Sequence, residues 1–277
     1  MMIENNYNRM EYIDSVRGIS CILVYICHWY GTLGGGNPNF LGKTGVGFLF
    51  ALSGYCLMGI YHETQWTPGK LIYFYIKRFS AVYPCLLITL AMALFLNYCE
   101  WFDVITIMKL RHGIGHFWTI SVNIIFYLLF PAISYIIQKI GIKRSIGIIW
   151  MLLFGWAFYY IQINASKPIV YVPMCVAGIL VYLYKETSHG CHNDKKDCFF
   201  IIPVVIFTLA GFVMYSIPTL TETTIETTKI LAGTIVCSFC LYFIVTRNYV
   251  KAVLSDRRLA WLHYIGRISY EIYLTHL

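Results

Sequence analysis

The residues whose chemistry stands out are Arg17 and His28, both within the first apolar segment of the chain. A guanidinium holds a phosphate in a forked contact, and a neutral imidazole accepts a proton from a hydroxyl and returns it near neutral pH. Ionisable side chains are costly inside a membrane, so these two are candidates for function. On a helix, their separation of eleven residues places them on one face, about 20° apart around the axis and about 16 Å apart along it.

Each residue also has an ordinary structural explanation. Arg17 could be a positive anchor at the inner membrane boundary, paired to Asp14 one turn earlier. His28 could be hydrogen-bonded to a neighbouring helix for packing, although its depth along the segment predicts a position inside the membrane. The shared face favours function, because a phosphate-bearing ligand with a long reactive arm would reach both residues. In that interpretation Asp14 orients Arg17, and Gly18 allows close approach by another group.

The elements that position these residues are predicted to be membrane helices. Of 277 residues, 58% are hydrophobic and only 12% are charged, which is too apolar for a soluble globular protein. Apolar stretches of at least about 17 residues are long enough to span a bilayer. They lie near 13–33, 44–61, 73–96, 117–137, 146–163, 168–184, 198–217 and 229–246, and an incomplete ninth begins near Trp261. We therefore predict an all-α, polytopic transmembrane bundle of about nine helices, forming one integral-membrane domain over residues 1–277.

The distribution of positive charge predicts the orientation of the bundle. With the N-terminus in the cytoplasm, most basic residues lie on the inner side, as the positive-inside rule requires. The basic residues that fall outside are Lys43, Lys109, Arg111, Lys167 and Lys229. The formal net charge of +8 follows from this bias, so it does not indicate a nucleic-acid partner.

The second span combines small residues with one hydroxyl. Gly45, Gly47 and Gly54 are spaced for tight contact between helices. Ser53 lies in the middle of the same apolar run, and it either packs against a neighbouring helix or lines a ligand cavity.

The third span carries two basic residues and a proline. Lys77 and Arg78 lie at its inner end, where both could simply reach the membrane interface. Pro84 removes a backbone hydrogen bond and is expected to bend the helix. The bend would turn Tyr83 towards the bundle interior or a cavity.

The outer half of the fourth span is unusually polar for an apolar segment. It carries Trp118, Ser121, Asn123 and Tyr127. Asn123 is the costliest of these to bury, and it therefore needs a hydrogen-bond partner.

Cysteine and histidine residues do not predict a disulfide framework or a metal centre. Seven of the ten cysteines fall inside apolar spans, where we expect small, buried packing residues. The loop from His189 to His192, with Cys198 nearby, has the composition of a metal site. Its spacing matches no standard zinc pattern, so no metal is predicted.

Five segments, taken together and in order, are similar to the integral-membrane acyltransferase 3 family, whose members O-acylate sugars of surface polysaccharides. The first keeps the ten-residue gap between the family's arginine and histidine. The five segments are Tyr12–Gly18 with His28, Gly45–Tyr55, Lys77–Pro84, His116–Tyr127 and Gly266–His276.

The resemblance implies an O-acyltransferase that moves an acyl group, expected to be acetyl, from cytoplasmic acyl-coenzyme A to a sugar hydroxyl. The acceptor would be a cell-surface polysaccharide or glycolipid, and the protein would lie in a bacterial inner membrane without a permanently bound cofactor. His28 would act as general base or transient acyl carrier, with Asp14 orienting Arg17. The donor would contact Arg17, Arg78, Lys77, Ser53 and Tyr83. The acceptor would contact Trp118, Ser121, Asn123 and Tyr127.

Three features depart from the family pattern. Asn123 stands where the family commonly has a glutamate, and Ser80 stands where it often has a second arginine. The last segment, from Tyr264 to Leu277, would span only about 21 Å as a helix, which implies a chain cut short at its C-terminus.

Two other functional classes fit the same residues. Intramembrane ionisable groups and a bent helix also suit a transporter or flippase for a glycan or its precursor. A short final span suits a non-catalytic remnant or a partner subunit. Binding of acetyl-coenzyme A distinguishes the acyltransferase from these two classes, because only the acyltransferase should bind it. That affinity should fall in the Arg17→Ala variant.

Overall fold

A computed structural model of the chain describes residues 10–33, 39–97, 100, 118–162, 167–188 and 222–275. Within these ranges all the regular secondary structure is helical, which confirms the predicted all-α class. The predicted span at 198–217 lies outside the described residues. The helices are α1 (Glu11–Thr32), α2 (Asn39–Tyr61), α3 (Pro68–Phe95), α4 (Trp118–Ile140), α5 (Ile142–Gln162), α6 (Lys167–Ser188), α7 (Glu222–Thr246), α8 (Asn248–Leu254), α9 (Ala260–Arg267) and α10 (Ser269–Thr275).

Three helices in the described part of the chain are long and apolar enough to cross a membrane. They are Leu41–Tyr61 in α2 together with the whole of α3 and α4. A fourth is possible if Gly233–Thr246 and Asn248–Leu254 count as one span, although the two are bent by 92°. The coarse prediction of a multi-span membrane protein agrees with these helices, while the count of about nine spans stays a prediction.

Glycines hold α2 against its neighbours, as their spacing predicted. A Cβ atom on Gly54 would collide with the backbone of Cys175 in α6, and one on Gly178 would collide with the backbone of Ala51 in α2. A Cβ on Gly45 would meet the backbone of α1 in the same way. Because these positions carry no side chain, the helix backbones touch. This contact brings α1, α2 and α6 together around one volume.

The segment expected to begin a ninth span forms two short helices instead. The first of them, α9, packs against the beginning of α1 through Gly18 and Gly266, which have no room for a side chain. The Ser15 hydroxyl donates a hydrogen bond to the Leu254 carbonyl just before α9. The group that closely approaches Gly18 is therefore Leu262 of this helix.

Candidate active site

A cavity of about 440 Å³ opens at the end of the bundle where α1 begins. The first turns of α1 and the last turns of α2 and α6 form its walls, and their lining side chains include Tyr55 and Tyr182. Its charged lining residues are Asp14, Arg17, Lys185 and Glu186. Two residues predicted to act together, Asp14 and Arg17, therefore line the same cavity.

Asp14 is a buried carboxylate shared between two arginines. Its side chain is only 3% exposed; Oδ1 lies 3.8 Å from Nη1 of Arg17, and Oδ2 lies 3.7 Å from Nε of Arg267. The pairing with Arg17 agrees with the predicted orienting role. The role of Arg267 was missed, although its segment was recognised, because nothing in the sequence shows that α9 folds back onto α1. One negative charge faces two positive charges here.

Arg17 extends from this pair towards the interior of the bundle. Its guanidinium is about one-third exposed, and Nη2 donates a hydrogen bond of 3.7 Å to Sγ of Cys56 in α2. Cys56 also lines the cavity. The sequence indicated only a packing role for this cysteine, and its contact with Arg17 depends on the tight α1–α2 pairing.

Arg78 is held by aromatic rings rather than by a carboxylate. Its Cζ lies 5.9 Å from the ring centroids of both Tyr61 and Phe74, which is a cation–π arrangement. Its buried Nε has no hydrogen-bond partner, and within the described ranges no acidic side chain pairs with it. A half-buried guanidinium in this situation lacks compensation for its lost hydration.

The two arginines converge from different helices. Arg17 and Arg78 both lie within electrostatic range of the Cys56 thiol and of the Tyr127 hydroxyl. This places Tyr127, assigned to the acceptor by resemblance, beside the two donor-binding candidates. Two guanidiniums that share these neighbours form a suitable environment for a phosphate or pyrophosphate.

Lys185 adds a further positive charge to the cavity wall. Burial lowers its pKa, the neighbouring Glu186 opposes this effect, and the cation of Lys251 in α8 lowers the pKa further. The cavity wall thus carries two basic and two acidic side chains, and Lys251 lies within electrostatic range of Lys185.

Two polar side chains in the first half of α4 have unsatisfied atoms. Oγ of the fully buried Ser121 and Oδ1 of Asn123 have no hydrogen-bond partner among the residues that the structure describes. Buried polar atoms in proteins are nearly always hydrogen-bonded, so such atoms point to an additional partner. Trp118 lies one turn earlier, with its ring centroid 4.4 Å from that of Tyr171.

Of the five residues assigned to the donor by resemblance, only Arg17 lines the cavity, and Arg78, Ser53, Tyr83 and Lys77 lie apart from its lining. Ser53 donates its hydroxyl to the Leu49 carbonyl of its own helix at 3.1 Å. Tyr83 packs against Phe79 beside an apolar groove on α3. Lys77 is exposed, with Nζ 5.9 Å from the Tyr73 ring.

His28 lies near the opposite end of α1 from the cavity. The helix runs without interruption from Glu11 to Thr32, so Arg17 and His28 keep the spacing that the sequence predicts. The His28 side chain is exposed on the described surface. The structure therefore places the candidate proton acceptor about 16 Å from Arg17 along α1.

Among the described residues, no group of three or more His, Cys, Asp or Glu side chains is arranged to hold a metal ion. The loop from His189 to His192 lies outside those residues.

The described helices of membrane length, and the cavity lined by two basic and two acidic side chains, fit an integral membrane protein with a charged cavity. Residues 10–277 match the family model described as an acyltransferase domain. The chain therefore belongs to the acyltransferase 3 family, as its five segments predicted. No curated protein and no solved structure matches the chain.

Proposed function

We propose that the chain is an O-acyltransferase that takes an acyl group, acetyl first among the candidates, from acyl-coenzyme A on the cytoplasmic side. The acceptor is a sugar hydroxyl of a surface polysaccharide or lipid-linked glycan. Family membership supplies the acyl-transfer chemistry. The identity of donor and acceptor comes from the resemblance to the family, and the arrangement of residues described above supports it.

The donor assignment rests mainly on the surroundings of the Arg78 side chain. Its guanidinium is half-buried, has aromatic rings on two sides and lacks an acidic partner in the described structure. Arg17 shares its only carboxylate partner in the described structure with Arg267. The diphosphate of coenzyme A supplies the negative charge that this cluster lacks, through charge-assisted hydrogen bonds.

The proposed reaction follows the length of α1. Arg17 and Arg78 hold the donor phosphates, and the pantetheine arm, similar in length to the Arg17–His28 separation, carries the thioester towards His28. His28 accepts the proton of the sugar hydroxyl while the hydroxyl oxygen attacks the carbonyl carbon of the thioester. The carbon–sulfur bond then breaks, and the coenzyme A thiolate takes up a proton as it leaves. An acyl-His28 intermediate is the alternative route.

The acceptor would be held by the outer half of α4. The unsatisfied Oγ of Ser121 and Oδ1 of Asn123 suit the hydroxyl groups of a sugar. Trp118 would provide an apolar face for the sugar ring. Tyr127, within electrostatic range of both arginines, would lie between acceptor and donor.

A titration with acetyl-coenzyme A tests the donor assignment. Replacing Arg78 by Gln removes a charge-assisted contact, so affinity of the purified protein should fall by at least about tenfold. Lys70→Gln is the matched control, since Lys70 is an exposed basic residue on the same helix. Affinity in this variant should stay close to that of the wild type.

The same titration includes Lys77→Gln. The exposed position of Lys77 predicts a smaller loss than Arg78→Gln produces. Equal affinity in the wild type and Arg78→Gln would overturn the donor site. A complete absence of acetyl-coenzyme A binding would instead favour a transporter.

A further inference from the structure

The chain turns through a right angle where α7 ends. The second half of α7, Gly233–Thr246, meets α8 at 92°. If α7 crosses the bilayer, α8 runs along the membrane surface, as interfacial helices do. We call residues 247–267, which run from this bend through α8 and α9, the elbow.

One side of the elbow is fixed to the bundle. Leu262 and His263 of α9 are 5% and 4% exposed. The Nε2 atom of His263 lies 2.8 Å from the Leu254 carbonyl oxygen, and Ser15 of α1 donates to the same oxygen. These contacts determine which side of the elbow faces outwards.

The outward side carries large aromatic and aliphatic residues. Tyr249 and Val253, one turn apart on α8, are 64% and 62% exposed, and Trp261 and Tyr264, one turn apart on α9, are 57% and 61% exposed. Tryptophan and tyrosine are the residues enriched where a bilayer meets water. Their placement on both helices of the elbow suits a position at that boundary.

The elbow is also strongly basic. Its basic residues are Arg247, Lys251, Arg257, Arg258 and Arg267, whereas Asp256 is its one acidic residue. The Asp256 carboxylate accepts a hydrogen bond from the Arg258 backbone N–H at 2.8 Å. Arg257 and Arg258 are exposed, and in the part of the chain that the structure describes no carboxylate pairs with either side chain.

We propose that the elbow is a binding surface for anionic phospholipids of the leaflet beside it. The exposed aromatic residues lie at the level of the headgroups, and the basic side chains contact the lipid phosphates. Aromatic residues beside unpaired arginines, immediately after a right-angle bend, favour a lipid surface over an acidic protein. The proposal does not depend on the acyltransferase assignment.

Quenching of tryptophan fluorescence by brominated lipids tests whether the elbow binds anionic phospholipids. The whole chain is reconstituted in phosphatidylcholine vesicles that contain about 30 mol% phosphatidylglycerol. Two vesicle samples are prepared: in one the phosphatidylglycerol is brominated, and in the other the phosphatidylcholine is brominated. Subtracting the signal of Trp261→Phe isolates quenching of Trp261. In the wild type, brominated phosphatidylglycerol should quench Trp261 at least about twofold more than brominated phosphatidylcholine does at equal mole fraction.

Two double variants distinguish the elbow from general surface charge. In Arg257→Gln with Arg258→Gln the preference for phosphatidylglycerol should disappear. Lys143→Gln with Arg144→Gln removes another adjacent, exposed basic pair at the start of α5, and the preference should remain. An undiminished preference in the first variant, or an equal loss in both, would overturn the proposal. A wild type without any preference would also overturn it.

Discussion

At the scale of single residues, the distribution of charge around Asp14 decides the chemistry of the cavity. Arg17 and Arg267 approach the same carboxylate from α1 and α9, and Arg78 has no acidic partner in the described structure. Asp14 therefore keeps two arginines in place without neutralising the cluster. This arrangement supports the proposal that an anionic ligand binds beside the two arginines.

The sharing of Asp14 predicts unequal effects of substitution. Asp14→Asn removes a buried charge between two guanidiniums and should lower the free energy of unfolding by about 2 kcal/mol. Arg267→Gln should cost less than about 1 kcal/mol, because that side chain is 46% exposed and Asp14 keeps Arg17. The thermal unfolding midpoint of each variant in detergent measures the difference. If Arg267→Gln lost as much stability as Asp14→Asn, or more, Asp14 would not be the residue on which the two ion pairs depend.

At the scale of elements, the contact between α1 and α9 brings Arg267 to the cavity. A Cβ on Gly266 would collide with the Asp14 backbone, and one on Gly18 would collide with Leu262. The two helices are consequently in backbone contact, which no larger residue at these positions would permit.

Adding one methyl group to this contact should separate the helices. Gly266→Ala is expected to destabilise the protein by about 1–3 kcal/mol, since the clash is with backbone that cannot move aside. Gly147→Ala is the matched control, because a Cβ there meets nothing within 4 Å, and alanine favours a helix over glycine. Unfolding midpoints should fall for the first variant only. A tolerated Gly266→Ala would show that α9 is not tightly packed on α1.

Local patterns were sufficient to predict several features of the fold and site. The length of the apolar stretches predicted helices, the glycines of the second span predicted close packing, and the interval between Asp14 and Arg17 predicted their pairing. Contacts between distant segments could not be predicted in this way. The position of Arg267 depends on the packing of α9 against α1 through Gly18 and Gly266, and the contact of Cys56 with Arg17 depends on the packing of α1 against α2.

At the scale of the whole molecule, the described cavity and His28 lie near opposite ends of α1. If α1 crosses the membrane, as its apolar sequence predicts, this separation suits a reaction whose donor comes from one side of the membrane and whose acceptor lies on the other. The residues of α4 with unsatisfied polar atoms, Ser121 and Asn123, belong to the outer half of their predicted span, as His28 does. We therefore propose that the donor binds at the inner end of α1 and that proton transfer takes place at its outer end.

The mass of the surface polysaccharide shows whether the chain acylates it and whether His28 is needed for the transfer. Cells that make the wild-type chain should produce polysaccharide heavier by one acyl group per modified sugar than cells without it, and His28→Ala should abolish the difference at unchanged protein level. The purified His28→Ala protein should still bind acetyl-coenzyme A, because Arg17 and Arg78 are intact. Acylation retained in His28→Ala would show that His28 is not required for acyl transfer.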